Sequence, residues 1–149
     1  FRVSDGHQPF WRLFTKKRIA LEGGKIQIQA QFLFPVNGAD LTPEGIGVIR
    51  GISKGLLEAM DSTDVIMVSG FTDDIPIKSS TYTNWNLSTE RAVNVVKTLI
   101  KEGFPPERLF AAGFGEFRPK YPNDSEEHRR LNRRVEIGVT PLQMMEKSN

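Results

Sequence analysis

The chain has 149 residues, 38% hydrophobic and 26% charged, the size and balance of one globular domain able to bury a core of its own. Twenty Lys and Arg against 18 Asp and Glu leave a formal charge of +2, too small for whole-protein attraction to nucleic acid or an acidic membrane, so no nucleic-acid partner is expected. The absence of cysteine excludes disulfide frameworks, thiolate nucleophiles and thiolate metal sites.

The longest apolar stretches, such as "VIMVSGF" at 65–71, fall far short of the roughly 20 residues that cross a bilayer. The chain opens on Phe1 with neither a methionine nor a signal peptide and reads as a piece of a longer protein. Residues 1–24 mix aromatic with basic side chains (Phe10, Trp11, Phe14, Lys16, Lys17, Arg18) and keep no period, which predicts an arm, linker or short helix ahead of the domain. From Lys25, "KIQIQAQFLF" sets Ile26, Ile28, Ala30 and Phe32 on one face and Gln27, Gln29 and Gln31 on the other, the alternation of a half-buried strand. "DLTPEG" then supplies Thr42 as N-cap, Pro43 at the first helical position and Glu44 in the first turn of a helix running to about Met60. Its apolar stripe is Ile49, Ile52, Leu56 and Met60. Gly47, Gly51 and Gly55 recur every fourth residue, each lowering helicity by about 1 kcal/mol against alanine, and predict close packing of the helix on a sheet.

"DVIMVSG" at 64–70 is a continuous apolar run, as expected of a central strand covered on both faces. After a polar crossover, Ser88 is the expected cap of a second helix with Arg91 in its first turn. Ala92, Val95, Val96, Leu99 and Ile100 form its buried face, and Gly103 and Pro105 end it. "RLFAAGFGEF" follows as a short strand and glycine-rich turn, "DSEEHRRLN" as a polar helix capped by Asp124 or Ser125, and "RRVEIGV" as a last strand with Val135, Ile137 and Val139 inward. The order β-α-β-α-β-α-β predicts an α/β (α+β) two-layer sandwich with the helices on one face of the sheet.

Little in the chain supports catalysis. His7 and His128, the two histidines, fall in the arm and beside a basic helix, without a second well-placed imidazole for a triad or metal site. Asp73 and Asp74 are adjacent, whereas acid/base pairs face each other from separate elements. "GFGE" at 113–116 lacks the helix, Lys and Thr of a phosphate loop, and "HRRLNRR" at 128–134 is interleaved with acids as a mixed-charge surface helix. No metal or cofactor is expected. The crossover "GFTDDIPIKSSTYTNWNLSTERA" at 70–92 remains. Asp73 follows the central strand, where open α/β sheets bind ligands, and Arg91 stands near the start of the next helix. A carboxylate that holds an ammonium and a guanidinium that holds a carboxylate together suit a free amino-acid head. Alternatively the two simply pair with each other and tie the loop down, which spacing alone favours.

"TDD", "NWNLSTERAVNVVKTLI", "GFPPERLFAAGFGEFRP", "ND" and "RRLNRRVEI" together resemble the peptidoglycan-binding domain of the OmpA family over residues 25–140. Within it, "YTNWNLSTERA" and "NDSEEHRRLNRRVEI" are most similar to the periplasmic part of the MotB subfamily, flagellar-motor stator subunits. The resemblance implies a non-catalytic periplasmic domain that grips the diaminopimelate-containing stem peptide of peptidoglycan. Asp73 and Arg91 fall on the positions that hold the ligand's ammonium and carboxylate, with Thr72, Asn84 and Leu87 as neighbours. Asn123, Arg129, Asn132 and Arg134 match a second block against the same groove, with structural roles equally open to them: Asn123 as a cap, Arg134 bracing Asp73. Phe71 stands where the family often has histidine. The resemblance also implies a homodimer, to which the glycine stripe would lend close contact. It implies a MotA-type partner reached through a membrane helix upstream of Phe1, and makes residues 1–24 part of the linker; Phe10, Trp11 and Phe14 call for an apolar partner on which the linker would dock, the alternative being a free, disordered arm. Residues 141–149 are a C-terminal tail. Two other classes stay open: an envelope tether of the lipoprotein or outer-membrane type, and a wall hydrolase.

Overall fold

The structure, a computed structural model, describes residues 19–22 and 25–141. The expected docking of Phe10, Trp11 and Phe14, His7, and the tail beyond residue 141 lie outside the described residues. Strand β1 (Ile19–Glu22) pairs antiparallel with β2 (Lys25–Gln29), in a register that sets Ile19 opposite Ile28 and Leu21 opposite Ile26. Residues 19–22, read from sequence as part of the arm, are thus the edge strand of the sheet. Four residues carry too little alternation to announce themselves, but they pair the backbone edge that β2 would otherwise leave open.

The strand expected from Lys25 stops at Gln29. Ala30–Phe32 turn as a short 3-10 segment instead, with the Ala30 amide donating 2.8 Å to the Arg133 carbonyl and Leu33 and Phe34 folding into the core. Helix α1 (Pro43–Ala59) begins where the sequence places it, the Thr42 hydroxyl accepting from the Gly45 amide at 3.0 Å. Ile49, Ile52 and Leu56 are buried, joined by Val48. The glycine stripe needs revision. Gly47 faces open space, and the close approach is made by Gly45, where any Cβ would overlap the Leu33 carbonyl oxygen.

Strand β3 (Asp64–Phe71) is central, α2 spans Asn84–Lys101, β4 is Leu109–Gly113, α3 is Glu126–Asn132 and β5 is Arg134–Pro141. The five strands lie in the order β1-β2-β5-β3-β4, antiparallel except for the parallel pair β3 and β4. Ile28, Ile66, Val68, Val135 and Ile137 point from one face of this mixed sheet into Ile49 and Ile52 of α1 and Val95 and Leu99 of α2. The two-layer α/β sandwich expected from the sequence is therefore the observed one, with β1 added. Val139, expected inward, is 38% exposed: β2 begins at Lys25 opposite Gly138, so Val139 lies beyond its end.

Helix α2 starts four residues before its expected cap. Asn86 Oδ1 accepts from the Thr83 amide at 2.9 Å, while Ser88 is fully buried one turn inside. A box with Asn in place of the usual Glu or Gln hid that start. Arg91 consequently stands in the second turn. Ser125, one of the two expected caps of α3, accepts from the His128 amide at 3.1 Å. No helix among the described residues is long and apolar enough to cross a membrane.

Candidate functional site

Gly70, next to the last residue of β3, and Gly113, the last of β4, are where α2 lies directly on the sheet. A Cβ on Gly70 would overlap the Ser88 carbonyl oxygen, and one on Gly113 the Thr89 hydroxyl. That contact sets the first turns of α2 against the loop leaving β3, and Asn84, Leu87 and Arg91 come to share a cleft of about 370 Å³ with Thr72 and Asp73. The opposite wall is the segment after β2, with Phe34, Pro35, Val36 and Asn37, and Glu126 and Arg133 close one end.

Asp73 is 6% exposed. Its Oδ1 accepts from the Ile75 amide at 3.0 Å and its Oδ2 from Arg133 Nη1 at 2.6 Å. Arg91 is 5% exposed. Its Nε donates to the Gly38 carbonyl at 2.8 Å, Nη2 reaches the Pro35 carbonyl at 3.5 Å, and the guanidinium lies 4.9 Å from the centre of the Phe34 ring. Among the described residues no hydrogen bond or ion pair joins Asp73 to Arg91, so the mutual brace considered from spacing is not how they sit. Burial pushes the Arg91 guanidinium down to about 10; Tyr82 and Asp73 pull it up, and repulsion from Arg133 adds to the lowering. Arg133 goes the other way: burial lowers it, but its hydrogen bonds to Glu126 and Asp73 outweigh that and raise it above the ordinary value. Arg91 is thus a desolvated cation held by neutral carbonyls, beside a carboxylate already engaged by another cation.

Thr72 and Asn84 shape the backbone between these charges. The Thr72 amide donates to the Gly115 carbonyl at 2.9 Å and its hydroxyl to the Asp73 carbonyl at 2.8 Å. Asn84 Nδ2 donates to the carbonyls of Asp73 at 3.3 Å and Ile75 at 3.1 Å. Leu87 is a buried apolar floor.

The second block divides. Asn123, Arg129 and Arg134 do not line the cleft. Arg129 bonds Asp74 at 3.0 Å and the Asn123 carbonyl at 2.8 Å, which also separates Asp74 from Asp73. Arg134 turns to the sheet face away from the helices, stacks 3.9 Å from the centre of Phe71 and bonds Glu136 at 2.7 Å, so the partner expected for Asp73 is Arg133 instead. Phe71 stacks on Phe114 at 5.0 Å. Asn132 is fully buried and spends its whole amide on the loop: Oδ1 accepts from the Lys120 and Tyr121 amides, and Nδ2 donates to the Tyr121 carbonyl and Asn123 Oδ1. His128 bonds Asp124 at 2.5 Å and stacks on Tyr121. Sequence reasoning passed over Arg133, Glu126 and residues 34–37. Arg133 caps α3 and precedes β5, so neither period includes it; the turn "PVNG", with Asn37 at φ 57, was the available signal for the far wall.

Comparison with known proteins agrees with this architecture. The model of the OmpA family matches residues 33–133. Motility protein B of Bacillus subtilis is 35% identical over 126 residues, 83% of this chain and 48% of the relative, so the chain spans about half the length of the curated relatives it matches. The periplasmic domain of Helicobacter pylori MotB superposes with a TM-score of 0.73 at 28% identity, covering 87% of each chain. The cell wall anchor of the T6SS from Pseudomonas aeruginosa gives 0.79 at 28% identity, covering 89% of this chain and 94% of that one.

Proposed function

Because the chain belongs to the OmpA family, we propose that its cleft binds peptidoglycan without catalysing a reaction, and that it anchors a flagellar-motor stator complex to the cell wall from the periplasm. The observation that carries this is Arg91, a buried guanidinium whose hydrogen bonds among the described residues go to neutral carbonyls, lining the same cleft as the buried carboxylate of Asp73. The zwitterionic end of a diaminopimelate-containing stem peptide offers each its counter-charge: the ligand's carboxylate takes Arg91, and its ammonium shares Asp73 with Arg133. Thr72, Asn84 and Leu87 form the wall. Asn123, Arg129 and Arg134 act as supports of the surrounding loops.

The stator role extends by similarity to Motility protein B and the MotB periplasmic domain, and brings with it a MotA-type partner and a homodimer. Of the stripe Gly47, Gly51 and Gly55, Gly55 is buried within the domain while Gly47 is exposed and faces open space, so Gly47 is the position at which a second copy could come close. Sedimentation velocity is expected to show a concentration-dependent dimer; a monomer at every accessible concentration removes the dimer from this domain. The likeness to a secretion-system wall anchor favours a second reading, a wall tether with no motor role. Upstream sequence separates the two: a transmembrane helix with an ion-carrying aspartate supports the stator, a lipobox cysteine the tether.

The purified domain is expected to co-sediment with intact sacculi, to be displaced by free stem tripeptide ending in diaminopimelate, and to release no soluble fragments. Failure to sediment overturns wall binding, indifference to the tripeptide overturns the ligand assigned to the cleft, and released fragments make the protein a hydrolase.

A further inference from the structure

Strand β4 is the edge of the sheet opposite β1, and among the described residues its strand neighbour is β3 alone. The Phe114 amide donates to the Gly70 carbonyl at 3.0 Å. Residues that bond across a parallel ladder alternate, so Phe110 and Ala112 also turn their backbone groups to β3, while those of Ala111 and Gly113 point away from it. An open edge is a template for another strand, and chains that must stay apart guard it with charge, proline or a bulge. "LFAAG" at 109–113 carries neither charge nor proline, and its register with β3 runs without a bulge. The flank of α2 above that edge is equally bare. Thr89 stands over Gly113, and Trp85 over Gly115 and against the Phe117 ring, whereas on the other flank Arg91 and Asn94 bond the Gly38 and Ala39 carbonyls. Helical period continues the first flank through Val93, Val96 and Ile100. Trp85 is 50%, Phe117 60% and Ile100 36% exposed, and the hydroxyl of Thr89, the polar member of the stripe, is spent on the Trp85 carbonyl at 2.8 Å.

This side of the domain is complementary to itself. Ala111 is the middle of the five-residue β4 and is exposed. Two strand residues back from Gly113 cover about 6.6 Å and four helix residues on from Thr89 about 6 Å, so Val93, at the middle of α2, lies level with Ala111. A two-fold axis through that level sets both midpoints against themselves, as an isologous contact requires. Ala111 then exchanges amide and carbonyl with Ala111 of a second copy, the Gly113 amide meets the Leu109 carbonyl, Val93 meets Val93, and Trp85 comes level with Ile100. Glu90 and Lys97, both exposed on the rim of the stripe, straddle the same midpoint, so each faces the opposite charge of the second copy. Glu90 keeps its bond from the Tyr82 hydroxyl at 2.9 Å. A face about 27 Å long and roughly 20 Å deep buries on the order of 500 Å² a side, the low end of specific interfaces, which fits a dimer that forms only as concentration rises.

We infer that β4 and the Trp85–Ile100 flank of α2 are the surface on which a second copy of this chain docks, β4 pairing antiparallel with β4 so that the two sheets run on as one. The inference rests on the homodimer proposed above and names its surface. Sedimentation velocity on the whole chain compares wild type with variants. Ala111→Pro removes an amide that β3 does not use, at an edge position where proline is tolerated. Val93→Glu sets two carboxylates face to face across the axis. Each is expected to raise the dimer dissociation constant about tenfold or more. An equimolar mixture of Val93→Glu and Val93→Lys is expected to recover the dimer, which damage to the fold would not allow. Ala111→Cys, the single thiol of an otherwise cysteine-free chain, is expected to cross-link on oxidation. A dimer undiminished in both Ala111→Pro and Val93→Glu overturns this surface and leaves the homodimer standing, whereas a wild-type monomer at every concentration overturns both. Loss of the dimer in Gly47→Arg with its retention in Val93→Glu assigns the contact to α1 and overturns the surface. Should Val93→Glu melt early, the mixture decides: recovery upholds the surface, and its absence overturns it.

Discussion

Arg91→Ala is expected to abolish most co-sedimentation with sacculi while leaving the domain folded. The ligand carboxylate then enters a partly desolvated cleft without its guanidinium, and removing one partner of such a pair costs about 2–5 kcal/mol, well over a tenfold loss of affinity. The effect on stability is smaller because two contributions oppose. In the free domain the guanidinium is lowered from its ordinary value to about 10, so the unfolded chain holds that proton more tightly and the buried charge costs stability at every pH below about 10; the cost fades as pH rises from there toward the ordinary value. Against its removal stands the loss of the hydrogen bonds to the Gly38 and Pro35 carbonyls, each about 1 kcal/mol. Arg91→Lys should fail as well, since a compact ammonium cannot hold the Gly38 carbonyl and a ligand carboxylate with one planar fork. Asp73→Asn is expected to lose binding to a comparable degree and to release Arg133, which stays tied to Glu126 at 2.6 Å. Binding measured beside thermal melts settles the point: a folded Arg91→Ala domain that sediments like wild type removes this cleft from wall recognition.

The largest expected effect on stability lies outside the cleft. Asn132→Ala leaves the Lys120 and Tyr121 amides, the Tyr121 carbonyl and Asn123 Oδ1 without the amide that now meets all four. Polar groups orphaned in a buried setting cost about 1–3 kcal/mol each, and since these are part-buried, water recovers much of that, so a net loss of about 3 kcal/mol is expected. For a domain of this size that lowers the melting temperature by roughly 10 °C. Asn132→Asp should be at least as severe: it keeps the acceptor and turns a negative charge toward the Tyr121 carbonyl. Calorimetry showing a shift under about 2 °C, small against the roughly 10 °C expected, would mean that other contacts hold residues 118–125.

What could be read in advance follows the reach of each signal. Thr42, Pro43 and the stripe from Ile49 to Leu56 act within a few residues, and α1 lies where they put it. Strand β3 and the inward Val135 and Ile137 announce themselves by composition and alternation. Ser88 resembles a cap but is buried, because Gly70 and Gly113 draw the helix onto the sheet and start it earlier. Asp73 and Arg91 were legible as a charge pair of suitable spacing. Their actual partners were not: Arg133 is 60 residues from Asp73 and Gly38 is 53 from Arg91, and no local pattern encodes a meeting over that distance. For the same reason Asn132 looked like one polar residue among several.

Those separations also govern when the cleft comes into being. Its walls are brought in from segments near residues 35, 73, 91 and 133; residues 72–84 hold one another locally, but the contacts that fix its two charged side chains, Arg91 to Gly38 and Asp73 to Arg133, span 53 and 60 residues. Contacts of long sequence separation close late, after loop entropy has been overcome. The cleft therefore assembles only when the sheet from β2 to β5 is already ordered, and a partly folded chain has nothing with which to hold a ligand. Occupancy is then a report on complete folding, and ligand stabilises the whole domain by mass action instead of rescuing any fragment of it.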